Sequence, residues 1–291
     1  MRAPILYGMD APSPWQPLSG CRVVALVTNI PGPLAAAELA RLGAEVIKIE
    51  PPLGDALEAA APRWYAQLVA GMRVLKLDVK HSRSTILAEL IRADVLLTSM
   101  RPKALTAAGL QWDELHAASP RLCHIAIVGE AGCADRAGHD LTYQARAGLL
   151  EPPAMPRSLF ADLFAAQRAT QIVAAALYDR ERTGTGTRHE VAIADGAAQL
   201  SDPVRYGLTG DSGPLGGALP VYRLYRSADG WIALAALEPH FRGRLLEALC
   251  LETLDVQALE SRFAERSSTH WEEVAQHYDI PLAPVCVLGS A

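Results

Sequence analysis

Three titratable residues of this 291-residue chain stand where helices are expected to begin. They are His139 in Gly138-His139-Asp140, Asp162 in Phe160-Ala161-Asp162-Leu163, and Glu238 in Leu237-Glu238-Pro239. The first turn of a helix presents unpaired N–H groups and a partial positive charge, which hold an imidazole neutral, keep a carboxylate ionised and stabilise a developing oxyanion. Those are the requirements of proton transfer beside a carbonyl group. A structural reading competes at each place: Asp140 and Asp162 are ordinary helix-capping types, and Pro239 is a favoured first helical residue whatever precedes it. His is not a favoured cap, and the glycine before it suggests a turn shaped for access.

The elements that must position these groups follow from periodicity. Residues 21–27 are an apolar run suited to a buried strand, 33–42 have helical spacing opened by Pro33 and closed by Gly43, and 45–50 read as a second strand. Further strands are predicted over 73–79, 94–98 and 122–128, alternating with helices over 84–92 and 112–118. That alternation predicts a parallel sheet covered on both faces. A long Ala-rich helix is expected over 163–180, starting at Asp162, with Arg180 and Arg182 at its end and Thr183-Gly184 as the stop. Residues 201–221 repeat Gly and Pro and read as a linker. Beyond it, strands over 222–225 and 231–236 around a turn at 226–230, with helices over 241–249 and 271–277, make a smaller α+β unit.

A dinucleotide-binding domain is the first competitor for such a β-α-β start, with Glu50 about 20 residues on, where a ribose-binding acid belongs. The turn after the first strand, Thr28-Asn29-Ile30-Pro31-Gly32-Pro33, lacks the glycine spacing that lets backbone approach a pyrophosphate. A nicotinamide cofactor is therefore not expected.

Composition excludes other classes. Half the residues are hydrophobic and 20% are charged, which argues against disorder, and a net charge of −5 argues against a nucleic-acid partner. Five cysteines with no C-x-x-C spacing suggest neither a disulfide framework nor a zinc site, and no metal is expected. Early prolines and Asp10 interrupt any signal-like apolar run, and no stretch reaches membrane-spanning length, so a cytoplasmic protein without membrane contact is expected.

Separated segments carry a resemblance. They are Ser19-Gly20-Cys21-Arg22, Pro31-Gly32-Pro33, Ile47-Lys48-Ile49-Glu50-Pro51-Pro52, Leu77-Asp78-Val79-Lys80, Met100-Arg101-Pro102 and Glu181-Arg182-Thr183-Gly184. In this order, from about residue 18 to 287, they resemble the family III CoA-transferases and the related 2-methylacyl-CoA racemases. The resemblance implies an α/β fold: a large Rossmann-like parallel-sheet domain over 15–200, the linker, a small α+β domain over 222–280 and a shortened C-terminal return segment over 281–291. It also implies an interlocked homodimer. No tightly bound cofactor is implied; a coenzyme A thioester is the substrate. Carried over by residue, the racemase branch puts its acid/base pair on His139 and Asp162 and a supporting carboxylate on Glu238. CoA contacts are implied for Arg73, Leu77, Asp78, Lys80, Arg101, Gly138, Asp140 and Tyr143. Three activities stay open: a racemase or epimerase working by 1,1-proton transfer, a CoA-transferase that uses Asp162 as a nucleophile to form an aspartyl-acyl anhydride, and a non-catalytic acyl-CoA-binding homologue.

Overall fold

A computed structural model describes residues 15–286, which divide into two compact units at Leu200/Ser201. The first unit is built on six parallel strands: β1 (Arg22–Leu26), β2 (Glu45–Glu50), β3 (Arg73–Lys76), β4 (Val95–Thr98), β5 (Cys123–Val128) and β6 (Arg188–Ala192). Their order is β3-β2-β1-β4-β5-β6. The strand order reverses between β1 and β4, and in such sheets a crevice opens beyond the carboxyl ends of the strands at that point.

Burial on both faces explains the unbroken apolar run of β1. Val23 and Ala25 pack on one side with Ala35 and Leu39 of the helix Pro31–Arg41, and with Ala165, Ala169 and Val173 of the helix Phe160–Thr183. Val24 and Leu26 pack on the other side with Ile86, Leu90 and Leu115. The sixth strand was not foreseen. It is an edge strand whose first three residues, Arg188, His189 and Glu190, are exposed, so it lacks the apolar pattern of its neighbours. The short helices Ala56–Ala60 and Pro62–Leu68 were missed as well, although Pro62 marks the start of the second.

β2 carries a fully buried charge cluster. Lys48 Nζ pairs with Glu50 and with Asp55 Oδ2 at 2.9 Å, and the Tyr65 hydroxyl donates to Glu50 at 2.5 Å. Asp55 Oδ1 accepts the amides of Asn29 and Leu57, both at 3.0 Å. This cluster holds Asn29 in a left-handed conformation (φ 65°) just beyond β1. Lys48→Met would leave two carboxylates buried without their cation. It is expected to cost about 3–5 kcal/mol, measured by chemical denaturation; a loss below about 1 kcal/mol would contradict this role for the lysine.

The second unit has three antiparallel strands in the order β7-β8-β9: β7 (Tyr222–Arg226), β8 (Trp231–Ala235) and β9 (Leu282–Pro284). Tyr225, Ile232 and Leu234 form a core with Leu245, Phe263 and Trp271 of the helices Pro239–Leu249, Val256–Phe263 and Ser268–Tyr278. Two expectations change here. Residues 201–221 belong to this unit and contain the helix Asp202–Arg205 and a 3-10 turn at Pro214–Gly216. Gly213 and Gly216 serve close backbone packing, since a Cβ on Gly216 would lie 1.7 Å from the Gly210 carbonyl oxygen. The expected return segment instead supplies β9, the third strand of the small sheet, while residues 287–291 lie outside the described chain. No helix among the described residues is long and apolar enough to cross a membrane.

Candidate active site

The crevice at the strand reversal is a cavity of about 210 Å³. Thr28 and Asn29 beyond β1, Ser99 and Arg101 beyond β4, and Gly129 beyond β5 form one part of its wall. Gly138, His139, Tyr143 and Asp162 form another. Sequence reasoning thus placed five residues, Arg101, Gly138, His139, Tyr143 and Asp162, that meet at one cavity although up to 61 positions separate them.

His139 is the residue before the helix Asp140–Ala147 and is extended (φ −139°, ψ 164°). Thr142 fixes its backbone at both ends: the Thr142 hydroxyl accepts the His139 amide at 3.1 Å and donates to the His139 carbonyl at 2.8 Å. The ring side of the residue is left exposed at the cavity wall. Gly138 proves necessary for a reason other than access. A Cβ there would lie 2.1 Å from the Tyr143 hydroxyl oxygen, so the glycine makes room for that phenol.

Asp162 is the third residue of its helix, which starts at Phe160. Its amide is one of the unpaired first-turn donors, and Asp140 Oδ1 accepts it at 3.0 Å. Asp140 Oδ2 accepts from Gln144 Nε2, and the same amide nitrogen donates to the Ser158 carbonyl at 3.2 Å. Asp140 is therefore buried with both oxygens engaged and joins the starts of two helices; it is not part of the cavity wall, contrary to the expected CoA contact.

This arrangement overturns the expected protonation of Asp162. A helix start favours the carboxylate, but burial, and after it the charge of Asp140, push its pKa up to about 7. Near neutral pH Asp162 exists in comparable amounts as acid and base, which suits a group that must donate and accept the same proton.

Two arginines also line the cavity. Arg136 was not foreseen; it lines the wall two residues before Gly138 and pairs with Glu130 at 3.0 Å, which binds Arg146 as well. Arg101 is exposed, and its side chain makes no hydrogen bond or ion pair among the described residues, so it can receive an anion. The remaining expected contacts lie elsewhere. Leu77 follows β3, two strands from β1 on the carboxyl side of the sheet, and Lys80 is exposed nearby. Asp78 accepts from Lys80 N and pairs with His81 Nδ1, both at 2.9 Å, and so organises its own turn. Arg73 opens β3, at the amino end of the sheet and away from the cavity, where it pairs with Glu89 at 2.5 Å. That position removes it from the expected set of CoA contacts. Glu238 is an exposed residue just before the helix Pro239–Leu249 of the second unit and does not cap that helix with its side chain.

Comparison with known proteins shows the family. The model of CoA-transferase family III matches residues 18–291. Alpha-methylacyl-CoA racemase of Mus musculus is 30% identical, the match covering 94% of this chain and 79% of that protein. Succinyl-CoA–D-citramalate CoA-transferase of Chloroflexus aurantiacus is also 30% identical, covering 88% of this chain and 70% of its own. Among solved structures, the hypothetical protein Rv3272 of Mycobacterium tuberculosis superimposes with a TM-score of 0.79 at 25% identity, covering 94% of this chain and 84% of that one.

Proposed function

The chain belongs to CoA-transferase family III, and from that premise we propose that it racemises or epimerises a 2-methylacyl-CoA-like thioester by 1,1-proton transfer. One observation carries the reading over CoA transfer: a histidine, His139, lines the same cavity as the carboxyl of Asp162. Racemisation needs two groups, one removing the Cα proton as the other returns it, and each group must serve in both directions. A pKa near the working pH is the optimum for that task. CoA transfer through an aspartyl anhydride needs Asp162 as its nucleophile and gives the histidine no part.

In this reading His139 and Asp162 are the acid/base pair. Asp140 ties the two helix starts together through the Asp162 amide, and Arg101 receives a phosphate or other anionic group of CoA. Leu77 and Lys80 extend the CoA contacts along the carboxyl edge of the sheet. The resemblance gives Glu238 of the second unit the part of a supporting carboxylate. The working state is a homodimer, and the compartment is the reducing cytoplasm, in keeping with five free cysteines.

The second reading, CoA transfer through an Asp162 anhydride, has its support in the transferase relatives. Incubating the enzyme with a 2-methylacyl-CoA of one configuration, with succinate present as an acceptor, separates the two. Loss of configuration with the thioester intact is the result expected of a racemase; formation of succinyl-CoA with configuration retained would replace racemisation by transfer.

A further inference from the structure

Tyr143 is a wall residue of the cavity for which the resemblance implies a CoA contact and no part in the reaction. Its ring is buried, with 3% of the residue exposed. It sits in the first turn of the helix Asp140–Ala147, where side chains lean back toward the helix start, so its hydroxyl arrives beside Gly138, the residue before His139. Two glycines bracket that hydroxyl. A Cβ would lie 2.1 Å from the oxygen at Gly138 and 2.3 Å from it at Gly129. No other residue type fits either position while the phenol is there.

The hydroxyl makes no hydrogen bond to the described residues, yet it is absent from the polar atoms that are sealed off without a partner. It therefore touches free space, and the cavity that Tyr143 lines is the one that holds His139 and Asp162. Its donor can therefore bond to whatever occupies the cavity beside His139 and Asp162. We propose that Tyr143 is a catalytic residue whose hydroxyl donates a hydrogen bond to the thioester carbonyl oxygen as negative charge develops there.

This inference rests on the acyl-CoA reading and adds to it a side-chain donor beside the first-turn N–H groups of the helix after His139. When the base removes the Cα proton, the electron pair of that C–H bond forms the Cα=C bond, and the carbonyl π electrons move to oxygen. The Tyr143 proton stays on its own oxygen throughout and is shared with the enolate oxygen only as a hydrogen bond. Burial, and after it the charge of Glu130, raise the pKa of the phenol, which keeps that proton in place at neutral pH. A donor fixed by two glycines needs no reorganisation as the charge appears, the condition under which such hydrogen bonds are most effective.

The test is Tyr143→Phe, which keeps the ring and removes only the donor. Cα exchange of a 2-methylacyl-CoA in deuterated water is expected to slow about 100-fold, while the Kd for acetyl-CoA stays within about threefold. Replacing Tyr143 by 3-fluorotyrosine, which restores the O–H, should recover the rate; a purely structural phenol would give neither the rate-specific loss nor the recovery. An active wild type with Tyr143→Phe exchanging within about threefold of it would overturn the inference and leave the acyl-CoA reading standing. A wild type that neither exchanges Cα hydrogen nor transfers CoA would overturn both.

Discussion

Replacing either partner of the proton-transfer pair, as His139→Ala or Asp162→Asn, is expected to slow racemisation by about a thousandfold, and the two variants should fail in different ways. Each group faces one side of Cα in a two-base mechanism, so each variant keeps a base for one configuration only. With substrates of single configuration in deuterated water, one variant should still exchange the Cα hydrogen of the R form and the other that of the S form, with no inversion in either case. Proton NMR of the Cα position reads both outcomes. Equal loss of exchange from both configurations in both variants would contradict a two-base site. Glu238→Gln should reduce the rate less, because a supporting carboxylate moves no proton at Cα.

Asp162→Asn should at the same time make the protein more stable above neutral pH. The folded-state pKa of Asp162 is about 7 against 3.8 for the ordinary group, so the folded chain holds a proton that the unfolded chain releases between those values. For a raised acid the sign is unfavourable: stability falls as pH rises from about 4 to about 7, and the full penalty is present above that range. Each tenfold difference in proton affinity between the folded and unfolded chain is worth about 1.4 kcal/mol, which makes the penalty on the order of 4 kcal/mol. Asparagine mimics the protonated acid and does not ionise. Denaturant unfolding should find Asp162→Asn more stable than wild type at pH 8 by up to that amount, with the difference vanishing near pH 4. An equal effect at both pH values would show that ionisation of Asp162 is not the cause. Stability given up at a functional carboxyl is the usual cost of keeping it reactive.

Much of this arrangement was legible in the sequence because it depends on local signals. The alternating strands of the large unit follow from apolar runs bounded by Pro and Gly, and the helix starts near 139, 162 and 238 follow from turn and capping types. The properties that depend on neighbours were not legible. That burial, and after it the charge of Asp140, would raise the pKa of Asp162 instead of lowering it requires knowing that two helix starts 22 residues apart meet. The place of Tyr143 in the wall depends on Gly129 and Gly138 jointly, and only their spacing from each other was visible. Arg73 matched a motif in sequence yet opens its strand, which in a parallel sheet puts it at the end away from the cavity. The helix and 3-10 turn of 201–221 were hidden for a related reason: glycines that allow backbones to touch have the same composition as a flexible linker.

The central claim is that Asp162 moves a proton at Cα and does not attack the carbonyl carbon. The most direct measurement is a wild-type incubation in deuterated water with a 2-methylacyl-CoA of one configuration, followed by NMR at Cα and by hydroxylamine trapping on the protein. Deuterium at Cα together with loss of configuration and no trapped adduct is the expected result; no deuterium at Cα, with an acyl group trapped on Asp162, would contradict it.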